Sequence, residues 1–271
     1  RMFAPDSFDY KRGEAQCLLN ANQYAEAIAL YDELIAENPD ESEFWLLQAN
    51  AYLALDLREE TAANLEMART LGDVTFQNLS LLASLYIQGG ATDLGAEVAV
   101  SSLDFADSRD ASALIRQIEH LSRSGNADQA NVIASAFSLK LAPQLELDEG
   151  RRFASVRAMI DFRLGLEESG SQRLVSILEE DPLNGEALIL LARHYSDKDE
   201  FEEAEFYFER ALSVEDYQRE ALVALGQMEV RRGNFKEALD HLREAQELKF
   251  ESNVQNFLDQ VEEAWRSTRR S

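Results

Sequence analysis

Few side chains in this chain are placed to make or break bonds. Its histidines are His120, His194 and His241, and its single cysteine is Cys17. The histidines stand 74 and 47 residues apart (194 − 120; 241 − 194), so none pairs with another across one helical turn as an HExxH site requires. No nucleophile elbow, phosphate-cradling glycine loop or CxxC pair occurs. The histidines read as packed or surface residues, and the carboxylates are too widespread to mark an acid–base pair. The residues name no metal site, no cofactor, no evident small-molecule substrate and no enzyme. What they offer is binding chemistry. Glu119/Arg123 and Arg193/Asp197 sit four apart, where they either pair on one helix or meet a partner's charges.

The elements that would carry these groups repeat. Laid out from Phe8, Ser42, Phe76, Ala111, Arg151, Gly185 and Arg219, seven copies fall into register, with starts 34, 34, 35, 40, 34 and 34 residues apart. Column eight of the frame is small in six copies (Ala15, Ala49, Ala83, Ala158, Ala192, Gly226). Column twenty holds Ala27, Thr61, Gly95, Ala130, Gly170, Ala204 and Ala238. Small residues at both places let two helices cross closely, where a Leu would push their axes apart. Column fifteen holds Asn22, Asp56, Gly90, Gly125, Gly165, Asp199 and Gly233, residues that tolerate the left-handed backbone of a tight turn. Large apolar residues such as Trp45, Tyr52, Leu65, Leu188, Leu191, Tyr195 and Phe208 recur every three to four residues and paint one stripe per helix. A lone hairpin cannot bury such a stripe; stacked hairpins can.

These residues resemble the tetratricopeptide repeat, a helix-turn-helix unit. The best copies are Trp45, Ala49, Tyr52 and Ala68, and Leu191, Ala192, Tyr195, Ala204, Phe208 and Ala211. Pro39 and Pro182 stand where the family's proline stops a helix. The fourth copy departs most, with Ile118 and Phe137 in columns that the family keeps small. The resemblance implies an all-α fold: an α-α superhelix, or solenoid, of about seven hairpins. It also implies that columns two, five, nine, twelve and thirteen of each first helix face a concave surface. Those columns contain Arg12, Arg123, Arg152, Arg163, Arg193 and Arg231 beside Asp9, Glu43, Glu119, Glu186, Asp197 and Glu220, with Met159 and Phe162 among the apolar neighbours. Apolar patches flanked by arginine suit a peptide. The other reading is internal pairing, with Arg163, Asp197 and Arg231 forming a ladder along column thirteen. Some tetratricopeptide domains clamp a chaperone's C-terminal carboxylate. The matching positions here are Arg12, Gln16, Leu47, Gln77 and Leu81; the last three break that pattern.

The longest spacing falls at Ala142-Pro143-Gln144-Leu145-Glu146-Leu147-Asp148-Glu149-Gly150, where Pro and Gly predict a loop or broken helix and a kink in the stack. This divides the chain into residues 1–142, with a lead-in and four copies, and residues 143–271, with three copies and a last helix. That helix carries Val254, Phe257, Leu258, Val261 and Trp265 on one face. It reads as a cap over the seventh copy, the alternative being a partner-binding helix. A first helix start is expected at Asp6-Ser7. Net charge is −25, which argues against nucleic acid as partner. No segment is apolar for long enough to span a bilayer. One cysteine suits either the cytosol or a periplasm, and a start at Arg1-Met2-Phe3 shows no export signal while being compatible with the removal of a signal or anchor. The function expected is a non-enzymatic scaffold holding a protein segment or peptide. Its rivals are a spacer in a bacterial envelope or transport assembly, touching partners by its outer helices or ends, and the regulatory part of a larger protein.

Overall fold

The computed structural model describes residues 8–268, and the helix start expected at Asp6-Ser7 lies outside them. Those residues form fifteen α-helices and no strand: α1 (Phe8–Asn20), α2 (Tyr24–Glu37), α3 (Ser42–Ala54), α4 (Arg58–Thr70), α5 (Phe76–Gln88), α6 (Thr92–Ser102), α7 (Ala111–Arg123), α8 (Ala127–Lys140), α9 (Leu147–Arg163), α10 (Glu167–Glu180), α11 (Gly185–Asp197), α12 (Phe201–Leu212), α13 (Glu215–Arg232), α14 (Phe235–Leu248) and α15 (Ser252–Thr268). Successive pairs from α1/α2 to α13/α14 are seven hairpins, and α15 follows. The chain divides into two compact units, Arg1–Leu145 and Glu146–Ser271.

The seven turns close in the same way. Asn22, Asp56, Gly90, Gly125, Gly165, Asp199 and Gly233 all have positive φ, between 56° and 89°. In each, the next residue's N–H reaches back to the column-eleven carbonyl, from Gln23 to Leu18 at 2.9 Å through to Asn234 to Glu229 at 2.8 Å. This six-residue closure satisfies carbonyls that a helix end leaves orphaned, and it requires one left-handed residue. Pro39 and Pro182 follow helix ends at Glu37 and Glu180, and their carbonyls accept from Trp45 Nε1 (2.9 Å) and Arg210 Nη2 (2.7 Å) of the following hairpin.

Columns eight and twenty are buried in all seven hairpins, and their glycines mark the closest crossings. A Cβ placed on Gly95 would stand 2.6 Å from Ile87 Cγ1 and 2.9 Å from the Ala83 carbonyl oxygen. One on Gly170 would stand 2.5 Å from the Phe162 ring and 3.0 Å from the Ala158 oxygen. The two column-twenty glycines therefore lie directly against column-twelve side chains, a branched Ile87 and an aromatic Phe162. In the fourth and sixth hairpins column twelve is the small Ser122 and Ser196, and column twenty is Ala130 and Ala204.

Three local features depart from the regular repeat. Ile118, in a small column, is fully buried, as is Phe137. Around them the packing changes: beyond its own hairpin α6 lies chiefly against α8, whereas α2, α4, α10 and α12 lie against the first helix of the next hairpin. The segment joining α6 to α7 runs from Leu103 to Asp110 and holds a 3-10 turn capped by Asp107, which gives this junction slack that the others lack. The segment at 142–150 is a 3-10 turn over Ala142–Gln144, an extended Leu145, and then helix. Gly150 donates to the Glu146 carbonyl (2.9 Å), inside the first turn of α9, instead of ending a loop. Asp148 and Glu149 favour that early start by facing the positive end of the helix dipole. Helix α15 buries Val254, Leu258 and Val261 against Ala238, Leu239 and Leu242 of α14, so it covers the seventh hairpin.

Candidate partner-binding faces

Most of the groove arginines are engaged with this chain's own carboxylates. In the N-terminal unit Arg12 of α1 reaches Glu43 of α3 at 2.6 Å, and Arg123 reaches Glu119 on its own helix at 2.6 Å. In the C-terminal unit Arg193 of α11 meets Glu220 of α13 at 2.9 Å. Arg231 of α13 gathers Asp197 (3.1 Å), Asp199 (2.7 Å) and the Ser196 carbonyl, and its guanidinium lies 5.9 Å from the Phe201 ring centroid. Only one rung of the column-thirteen ladder forms, Asp197–Arg231. The in-helix pair Glu119/Arg123 forms and Arg193/Asp197 does not. An acid four residues before a base follows the helix dipole; the reverse order does not. Arg152 also has a partner. These contacts mostly tie one hairpin to the next, and at exposed positions each is worth only about 0–1 kcal/mol.

Arg163 is different. It is exposed at the end of α9 and, among the described residues, has neither ion pair nor hydrogen bond. Met159 and Phe162 beside it are half-buried. Phe162 wedges between hairpins, with its edge over Gly170 and its face stacked on His194 at 4.0 Å between centroids and 8° between planes. That contact strips water from the imidazole, and burial, helped by Lys198, holds the His194 pKa below its ordinary 6.5. His194 is thus a packing residue. No grouping of three His, Cys, Asp or Glu side chains suited to a metal exists among the described residues. Cys17 is exposed on α1.

Column eleven of the frame places two carboxylates, Asp161 and Glu229, in buried positions. Asp161, 2% exposed, accepts from Ser169 Oγ (2.7 Å) and Arg173 Nε (2.8 Å), with Arg157 at 4.0 Å. Glu229 accepts from Arg232 (2.8 Å) and Asn234 (2.6 Å). Their oxygens are occupied by donors inside their own hairpins, so they serve as structural locks. Gln48 of the second hairpin instead bridges two hairpins, donating to Asp32 of α2 (2.7 Å) and accepting from Asn64 of α4 (2.8 Å). The signal was present: an acid interrupts a column otherwise held by Tyr and Leu.

Two sequence models of the tetratricopeptide repeat match the chain, over residues 4–51 and over residues 189–249. Those two stretches of the chain carry tetratricopeptide repeats. The chain's repeat architecture is shared with solved structures across nearly its whole length. One is the C-terminal part of a TPR repeat-containing protein from Cytophaga hutchinsonii, with 15% identity and a TM-score of 0.55 over 92% of this chain and 98% of that one. Another is a tetratricopeptide repeat protein from Parabacteroides merdae, with 12% identity and a TM-score of 0.51 over 94% and 98%. A third is the human IFIT1 dimer with m7Gppp-AAAA, with 17% identity and a TM-score of 0.53 over 98% of this chain and 64% of that one. At such identities the likeness is one of fold. No curated protein matches the chain. Its repeats make it an interaction scaffold, and no described helix is long and apolar enough to cross a membrane.

Proposed function

We propose that this repeat protein is a non-enzymatic scaffold that holds a segment of a partner protein along the face of its first helices, with α9 as the anchor. The observation that carries this reading is Arg163, an exposed guanidinium left unspent where its neighbours are tied to acids, beside the half-buried Met159 and Phe162. Burial of a partner's apolar side chains against Met159 and Phe162 would supply affinity. A two-pronged bond from Arg163 to a carboxylate would set register. The hairpins need no rearrangement to present these groups, because identical turn closures and buried crossings already fix them, which lowers the entropic cost of binding. A net charge of −25 disfavours a phosphate backbone as the guest, and no step in this reading uses a cofactor or a small molecule.

The test is site-specific photocrosslinking on the full chain. A crosslinker at position 163 should capture a partner polypeptide in cells of the source organism, and one at Glu179 of α10 should not. Arg163→Glu should then abolish capture from a crosslinker at Met159 without changing the unfolding midpoint. Equal capture from positions 163 and 179, or capture at 159 indifferent to Arg163→Glu, sinks the reading.

A further inference from the structure

A second surface lies away from the first-helix face, on the outer side of the N-terminal unit. Second helices elsewhere carry charge at short intervals, as Glu59, Glu60 and Glu66 of α4 and Glu202, Glu205 and Glu209 of α12 illustrate. Helix α8 does not: Gln129 to Leu139 contains no charged residue at all. Leu139 is nevertheless 83% exposed and Val132 54% exposed. Seven residues apart, they share one helix face. Because α6 lies against α8, that face continues into a cleft of about 410 Å³ whose apolar floor is Ala96, Val100 and Val132. Asp93, Glu97 and Asp128 rim the cleft; none of the three is in an ion pair among the described residues, and no cation lines it. Asp93 only accepts from Gln129 (2.7 Å).

We propose that the α6/α8 cleft is a docking surface for a cationic amphipathic helix of another protein. The apolar floor and the exposed Val132 and Leu139 would take the helix's apolar stripe, and the three carboxylates would take flanking Lys or Arg. From Asp128 to Leu139 the surface runs about 16 Å, room for three turns of helix. Charge selects this occupant over a second copy of the chain. Two molecules each carrying −25 would bring their acidic rims together, whereas a basic helix neutralises one. The proposal is independent of the α9 reading, since it uses a different unit and different helices.

The probe is a synthetic amphipathic peptide about 16 residues long, with a leucine stripe flanked by lysines, added to the full chain. Two control peptides are used, one with glutamine for leucine and one with glutamate for lysine. The expected result is hydrogen-exchange protection confined to Thr92–Ser102 and Ala127–Lys140, with both controls inactive. Val132→Asp with Leu139→Asp should weaken binding about tenfold or more. Asp93→Asn with Glu97→Gln and Asp128→Asn should also weaken it and flatten its salt dependence. Both apolar targets are exposed, so an unchanged unfolding midpoint is expected for the first variant; should that variant unfold, the protection map on the unmodified chain decides. The proposal is overturned if the glutamine peptide binds as well as the leucine peptide, since acidity alone then explains binding. It is equally overturned by protection spread over other helices, by a folded Val132/Leu139 variant of full affinity, or by sedimentation showing that the chain dimerises through this face.

Discussion

Replacing Gly170 with alanine tests the rule that column twenty of this hairpin must leave room for the column-twelve Phe162. In an ordinary helix interior this change stabilises by about 1 kcal/mol, because alanine restricts the unfolded chain and forms helix more readily. Here the new methyl would stand 2.5 and 2.6 Å from two Phe162 ring carbons and 3.0 Å from the Ala158 carbonyl oxygen. The ring cannot simply swing away, since its other face is stacked on His194. Overpacking of this kind costs about 1–3 kcal/mol. The two terms oppose each other, and the clash is the larger, so a net loss of up to about 2 kcal/mol is expected. The assay is chemical denaturation of the full chain, with hydrogen exchange across α9–α11 to localise the effect, because repeat stacks need not unfold in one step. The companion is Phe162→Ser, which reproduces the Ser196/Ala204 arrangement of the sixth hairpin. In the double variant Gly170→Ala/Phe162→Ser the alanine should cost less than it does alone, since only the approach to the Ala158 oxygen remains. If Gly170→Ala alone raises stability, the crossing is not steric and the column rule fails.

Asp161→Ala should cost about 3–5 kcal/mol in denaturation experiments, because it removes the buried carboxylate that accepts from Ser169 and Arg173 and faces the mostly buried Arg157. His194 makes the C-terminal unit acid-sensitive. Its folded pKa lies below 6.5, so the unfolded chain binds the proton more readily; stability is intact above about 6.5 and falls as pH drops from there towards the lowered value. An NMR titration of His194 should show the depressed pKa, and Phe162→Ser should bring it back towards 6.5. Tyr31→Phe should be neutral or stabilising by up to about 1 kcal/mol, since the Tyr31 hydroxyl is buried with no hydrogen-bond partner. The same burial, reinforced by Glu43, raises that phenol to about 12, and a spectroscopic titration up to pH 11 should leave it protonated in the folded chain.

The repeat frame was legible residue by residue. Asn22 and Gly233 occupy the same column, and the same turn closes on both, because a positive φ is a demand placed on one residue by its immediate neighbours. The crossing columns were equally plain: Ala15 and Ala27 are small for the same reason that Ala192 and Ala204 are. The site was legible only as a set of candidates. Arg193 stands four residues from Asp197, yet its acid is Glu220, on the next hairpin.

Composition and spacing by themselves determined an all-α chain of seven hairpins with a covering helix, since helix period, turn chemistry and crossing size are short-range and recur. Tertiary structure alone decided which arginine was spent and which was left, where α6 found its neighbour, and that Asp161 and Glu229 were buried. The first two outcomes turn on how far one hairpin is rotated against another and on which side chain reaches a neighbour some 30 residues away in sequence; the third turns on donors that fold back within one hairpin. A one-dimensional pattern carries spacing along the chain, and it does not carry that rotation.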